Sequence, residues 1–312
     1  MLRVLCIFYI VGYWHLMPYT TALPGYANWF TEALKYIALG TFVFCSGFLL
    51  GRQPVTLDPS GLGTFYRRRL LRIYPLYLLA LILFGLAGLA SLGQVIDGIF
   101  LISMFDPPAM PTLWFVTMIM AFYLLAPPLI RLADRPVWML LAVALLMLAL
   151  IVQHRLIQTI DLRILMYLPV FALGIFYQRQ PALRGFLTDN QWPLRLLLLL
   201  MLPLSRIGNE WSVSGALTIV PLILIGALTL FVLADRIAGR LHGPTIAFLA
   251  YTSFGLYLCH RLVFQALIGM YFPEQGWVQA LYLMAVGLPA GILLAYGVQR
   301  GYDGLTGATR LR

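Results

Sequence analysis

Two histidines stand where an apolar chain has least use for them. His15 lies in the first apolar run and His260 in a late one. A titratable side chain at membrane depth costs free energy unless it is partnered or used, so it is read first as functional. An imidazole that titrates near neutrality can take a proton from a hydroxyl, which is general base chemistry. The alternative is a pair of core histidines satisfied by helix carbonyls. Arg261 follows His260 and could hold a carboxylate or an oxyanion, or instead extend its stem toward the outer interface.

A second group is cationic. The stretch Phe65-Tyr66-Arg67-Arg68-Arg69-Leu70-Leu71-Arg72-Ile73-Tyr74-Pro75 is read as an inner loop and the entry to the third helix. Arg68 and Arg72 are four apart and share a helical face, and Arg69 with Arg72 nearly does. Guanidinium pairs of this kind make a multidentate phosphate site. They also serve as positive-inside anchors that touch anionic membrane lipids. The first use implies a cytosolic ligand bearing several phosphates. Together with a histidine reached across the membrane, it suggests group transfer from the cytosol to the outer face.

The elements that must position these groups follow from composition. The 312 residues are 62% hydrophobic and 10% charged, against about 45–50% and 25% in a soluble domain. The chain is therefore read as an all-α, polytopic membrane helix bundle. Apolar runs of spanning length fall near 4–20, 33–51, 71–92, 112–131, 136–152, 162–178, 193–207, 214–234, 245–271 and 277–299. About ten transmembrane helices joined by short loops leave no room for a separate soluble domain, so residues 1–312 are read as one membrane domain. Gly93–Phe105 is apolar but too short to span, and is read as interfacial or re-entrant.

Charge orients the bundle. With the N-terminus inside, 16 of the 21 Lys and Arg residues fall on the inner side, Arg240, Arg310 and Arg312 among them. Lys35, Arg155, Arg163, Arg206 and Arg261 fall on the outer side. Letting Gly93–Phe105 span would split the cations 10 to 11, so the ten-helix arrangement is preferred and both termini are expected in the cytoplasm. The net charge of +10 follows from this asymmetry, and no nucleic-acid partner is expected. Cys6, Cys45 and Cys259 lie inside predicted helices, which argues against a disulfide framework. A short basic start gives the first run some signal-peptide character, but Trp14 and His15 fit poorly in a signal core. His15 lies 12 residues beyond Arg3, about 18 Å along a helix, and His260 lies about 22 Å from the inner end of its own helix. The two imidazoles thus occupy a similar level.

Several segments resemble the acyltransferase-3 family of membrane acyltransferases, over nearly the whole chain. They are Arg3-Val4-Leu5 through Tyr13-Trp14-His15, Phe42-Val43-Phe44-Cys45-Ser46-Gly47-Phe48-Leu49, and Arg68-Arg69-Leu70-Leu71-Arg72-Ile73-Tyr74-Pro75. Then come Leu113-Trp114-Phe115 with Phe122-Tyr123-Leu124, Phe171-Ala172-Leu173-Gly174, and Ser253-Phe254-Gly255-Leu256-Tyr257-Leu258-Cys259-His260. Each is weak alone in a leucine-rich chain; their order is specific. The resemblance implies an acyl-CoA donor, usually acetyl-CoA, used as substrate with no bound cofactor or metal. It implies His15 as base with Arg3 in the catalytic motif, and donor contacts from Arg68, Arg69, Arg72, Tyr74 and Ser46. The acceptor would be a surface carbohydrate or glycolipid, and the location a bacterial inner membrane. Trp114, His260 and Arg261 are the acceptor-side candidates.

The chain departs from the family pattern twice. Eleven residues separate Arg3 from His15, where the family has ten. Twelve helical steps leave two residues about 120° apart, whereas eleven bring them within about 20°. Either Gly12 sits at a π-bulge that restores the register, or Arg3 does not play the family role. Second, Ile119, Met120 and Ala121 stand where many relatives carry a glutamate, which leaves Glu32, Asp106 and Glu210 as acids near the outer side. Two other classes fit the composition: a proton-coupled transporter or flippase, and a non-catalytic scaffold.

Overall fold

The computed structural model describes residues 1–237 and 243–307. Arg240, Arg310 and Arg312, counted above among the inner cations, lie outside the described residues. The described chain is 79% helix and contains no strands. The helices are α1 (Leu2–Tyr9), α2 (Trp29–Gly51), α3 (Pro59–Leu86), α4 (Leu92–Ile99), α5 (Trp114–Leu132), α6 (Pro136–Ile157) and α7 (Arg163–Arg179). They continue with α8 (Pro181–Asp189), α9 (Trp192–Met201), α10 (Leu204–Ile207), α11 (Val213–Ile237), α12 (Pro244–Met270), α13 (Gly276–Tyr282) and α14 (Leu288–Thr306). Among the described residues, seven helices are long and apolar enough to cross a membrane: α2, α3, α5, α6, α11, α12 and the continuous Gly276–Thr306. The chain is a helical integral membrane protein.

The other three expected spans are present in shorter form. The first is α1 extended by a π-helical turn, Ile10–Trp14. The sixth is α7, 17 residues long and buried along most of its length. The seventh is divided into α9 and α10 near Leu202 and Pro203, because a proline ring cannot continue the hydrogen-bond ladder. Gly93–Phe105 forms all but the first residue of α4 and then turns, and α4 starts at a capping box in which Ser91 and Gln94 satisfy each other's backbone.

The third helix begins earlier than hydropathy suggests. Asp58 caps it by accepting from the Gly61 amide, Pro59 takes the first position, and the arginines fall two turns inside the helix rather than in a loop. Asp58 also accepts from the Ser60 hydroxyl, and these hydrogen bonds to its charged form hold its carboxyl well below the usual range.

The centre of the bundle is α2 packed on α7 and α11. Gly47 of α2 and Gly174 of α7 let two backbones meet: a methyl at Gly47 would lie 2.2 Å from the Phe171 oxygen, and one at Gly174 would lie 2.3 Å from the Phe44 oxygen. Small residues at a crossing are how membrane helices gain packing where lipid supplies no hydrophobic drive. Phe44, Phe48, Tyr177 and Phe231 cluster beside this crossing with ring centroids 4.5–6.4 Å apart. By contrast α6 buries only Met139 and Val143 and presents its leucines outward, as a lipid-facing helix should. Helix α1 packs on α2 and against α12; His15 follows the π turn that extends α1, and His260 lies on α12.

Candidate functional site

Reaching His15 requires a change of helical register. At Ile10 the ladder widens, and the His15 amide donates to the Ile10 carbonyl at 2.8 Å, a step of five residues. One such turn absorbs the additional residue between Arg3 and His15 and turns both toward the bundle interior. Gly12 lies within it and packs against Leu288. Arg3 borders an 80 Å³ pocket together with Ser46, and His15 borders a 620 Å³ cavity at the end of the bundle remote from Met1. Leu39 and Tyr257 line both hollows and form the septum between them.

The two imidazoles meet. His15 Nδ1 lies 2.9 Å from His260 Nε2, with the rings nearly parallel at 4° and their centroids 5.0 Å apart. His260 is fully buried, and its Nδ1 faces the carbonyl oxygens of Tyr257 at 2.9 Å and Leu256 at 3.2 Å. Carbonyls only accept, so the His260 proton sits on Nδ1 and its Nε2 is an acceptor. His15 must then donate from its own Nδ1. Its Nε2 is left with the unshared lone pair, on a ring that borders the large cavity. This is the arrangement by which a second group fixes the tautomer of a histidine base.

The cavity wall combines aromatic faces with charge. The Arg163 guanidinium lies 4.0 Å over the Trp114 ring and forms a bidentate pair with Asp161. Lys35 sits 4.9 Å over Trp14 and 4.2 Å over Tyr36, with Glu210 at 3.7 Å. His154, whose Nδ1 donates to the Ile160 carbonyl at 3.0 Å, completes a polar rim. The Tyr257 hydroxyl donates to the Thr112 carbonyl at 2.6 Å, and Thr112 adopts φ +68°, a left-handed conformation unusual for a β-branched residue. That hydrogen bond ties the loop, whose Thr112 lines the cavity, to α12.

The structure brings His15, Trp114 and Arg261 to this one cavity, with His260 buried behind His15 and with Arg3 and Ser46 across the septum. The Ser46 hydroxyl donates to the Phe42 carbonyl at 3.0 Å. The arginines of α3 are elsewhere. Arg68 and Arg72 are exposed, while Arg69 lies 3.8 Å over Phe65, donates to its carbonyl at 3.0 Å and pairs with Gln53. Arg69 and Arg67 border a third, mostly apolar hollow of 740 Å³ that meets the small pocket at Tyr123. The Tyr74 hydroxyl donates to the Ile99 carbonyl at 2.8 Å and ties α3 to α4. Of the three acids considered for a relay, Glu210 lines the cavity, whereas Glu32 and Asp106 are not among its walls.

Sequence reasoning did not pick out Lys35, Asp161, Arg163 or Tyr257. Lys35 was legible as a cation inside an apolar run, and Tyr257 as the residue one turn before His260. Asp161 and Arg163 looked like ordinary loop charges.

A family model described as an acyltransferase domain matches residues 1–298. No curated protein and no solved structure is significantly similar to the chain.

Proposed function

Because the chain belongs to the acyltransferase-3 family of membrane acyltransferases, we propose that it transfers an acyl group, acetyl in the first instance, from cytosolic acyl-CoA to a hydroxyl of an acceptor at the outer face. The bundle would lie in a bacterial inner membrane with both termini in the cytoplasm. The observation that carries this reading is the His15–His260 contact at 2.9 Å, which leaves one imidazole nitrogen unshared on a ring that borders a large cavity with charged side chains in its wall.

In this reading His15 Nε2 accepts the hydroxyl proton as the acceptor oxygen attacks the thioester carbonyl. That attack forms the acyl–oxygen bond and gives a tetrahedral intermediate; on its collapse the carbon–sulfur bond breaks and the proton passes from His15 to the departing CoA thiolate. His260 keeps His15 in the productive tautomer and accepts from the Nδ1–H of the imidazolium while it exists, as a charge-assisted hydrogen bond. Arg68, Arg69 and Arg72 take the CoA phosphates at the Met1 end of α3. The pantetheine arm then enters by the small pocket past Arg3 and Ser46, and the thioester reaches His15 when the Tyr257–Leu39 septum opens. Trp114, buried under Arg163, forms part of the cavity wall against which a surface carbohydrate or glycolipid acceptor would sit. Held geometry and a positioned base are the terms such a site supplies.

The test is acetyl-CoA binding and hydrolysis by the purified protein, comparing wild type with His15→Ala and Arg72→Ala. The reading expects micromolar binding that Arg72→Ala weakens, and turnover that His15→Ala removes while binding persists. A folded wild type that binds no acyl-CoA overturns it.

A further inference from the structure

The large cavity carries more positive charge than its own residues neutralise. Lys35, Arg163 and Arg261 line it, against Asp161 and Glu210. Asp161 is committed to Arg163 through both carboxylate oxygens. Glu210 faces Lys35, and at 3.7 Å the contact is loose for a lysine only 8% exposed. Arg261 is left over. Among the described residues it makes no hydrogen bond or ion pair, and its Nε is shielded from solvent with no acceptor in reach. A guanidinium offers five donors in a fixed fork suited to a carboxylate or a phosphate. Holding it unpaired between transmembrane helices has a cost that the folded chain alone does not offset.

Its position is specific. Arg261 follows the histidine that contacts the His15 ring, and Arg261, Lys35 and His15 line the same cavity. An anion seated on Arg261 would therefore share that cavity with the His15 ring. The CoA phosphates are not a natural occupant, because the Arg68–Arg72 cluster lies on the far side of the septum from this cavity.

We infer that the acceptor is an acidic hydroxyl compound, carrying a carboxylate or phosphate close to the hydroxyl that is acylated, and that Arg261 with Lys35 reads that charge. This inference rests on the acyl-transfer reading for the identity of the acceptor, but the anion site itself can be tested without any transfer. Trp14, Trp114 and Trp211 line the cavity and report on its occupancy.

Three probes with one ring and different charge separate the outcomes: galactose, galacturonate and galactose 6-phosphate, titrated against tryptophan emission of the purified protein. One of the charged probes is expected to bind at least about tenfold more tightly than galactose, the scale of one hydrogen-bonded charge. Which of the two does so names the anion. Arg261→Gln is expected to remove most of that preference, and Arg261→Lys, which keeps the charge on an easily folded alternative, to retain part of it. Equal binding of all three probes, no saturable binding by any, or an unchanged preference in Arg261→Gln overturns the inference. Failure of acetyl-CoA to bind, with the charge preference intact, would instead count against the acyl-transfer reading.

Discussion

Replacing His260 by leucine should disable the site while leaving the donor in place. The substitution removes the acceptor 2.9 Å from His15 Nδ1 and the two carbonyl contacts that fix the His260 proton. His15 is then free to carry its proton on Nε2, the tautomer that cannot act as base, and the imidazolium loses a charge-assisted partner. A hydrogen bond to a charged group contributes about 1.5–3 kcal/mol, and each 1.36 kcal/mol of barrier is about a factor of ten. The expected loss in kcat is thus about ten- to a hundredfold, with acyl-CoA affinity little changed. His260→Gln is the informative companion, because its amide oxygen can reach the place of Nε2 and accept from His15, so part of the rate should return. Steady-state transfer kinetics with a thermal melt of each variant would decide it. Equal rates for wild type and His260→Leu, or no difference between the leucine and glutamine variants when both are folded, would refute the tautomer argument.

Two further expectations concern the scaffold. Gly47→Ala places a methyl 2.2 Å from the Phe171 carbonyl, which is backbone and cannot yield; overpacking of this kind costs about 1–3 kcal/mol and should lower Tm in detergent. Gly63→Ala meets nothing within 4 Å and should leave Tm unchanged or slightly raised. The cap of α3 supplies a pH signature. Hydrogen bonds from Ser60 and the Gly61 amide depress the Asp58 carboxyl, so its contribution is present above the unfolded carboxylate value and disappears only as pH falls through the lower folded one. The Tm difference between wild type and Asp58→Ala should therefore persist at pH 4 and close in stronger acid; a difference already gone at pH 4 would mean the carboxylate is not held.

The helices were largely legible because apolar length is a local property, and the exceptions have local causes too. A hydropathy window reads through Pro203 as though the helix were whole, which is why α9 and α10 look like one span in sequence. It also discards Pro59–Leu70 as too polar, although Asp58 and Pro59 are a strong helix start and arginine is a good helix former. Counting rise along two helices puts His15 and His260 at one level, but only the packing of α1 against α12 reveals that the rings touch and which nitrogens face each other. The same holds for Lys35 and Arg163. As sequence they are cations near helix ends, and their seats over Trp14 and Trp114 depend on loops and helix ends brought in from Pro107–Thr112, Asp161 and Glu210. The π turn at Ile10 sits between these cases: the additional residue was visible, and the widened hydrogen bond that absorbs it was one of two readings open.

The septum of Leu39 and Tyr257 has a consequence for the membrane itself. Two hollows approach each other from opposite ends of the bundle and share only these two side chains as their common wall. A catalyst fed from both compartments would, without that wall, be a leak for protons and ions. Tyr257 is fixed at its hydroxyl by Thr112, and its ring also stands against Phe115 and the two histidines. The same side chain closes the wall between the two hollows and stands beside His15, so in the acyl-transfer reading tightness of the membrane and access of the thioester would both depend on how Tyr257 is seated against Leu39.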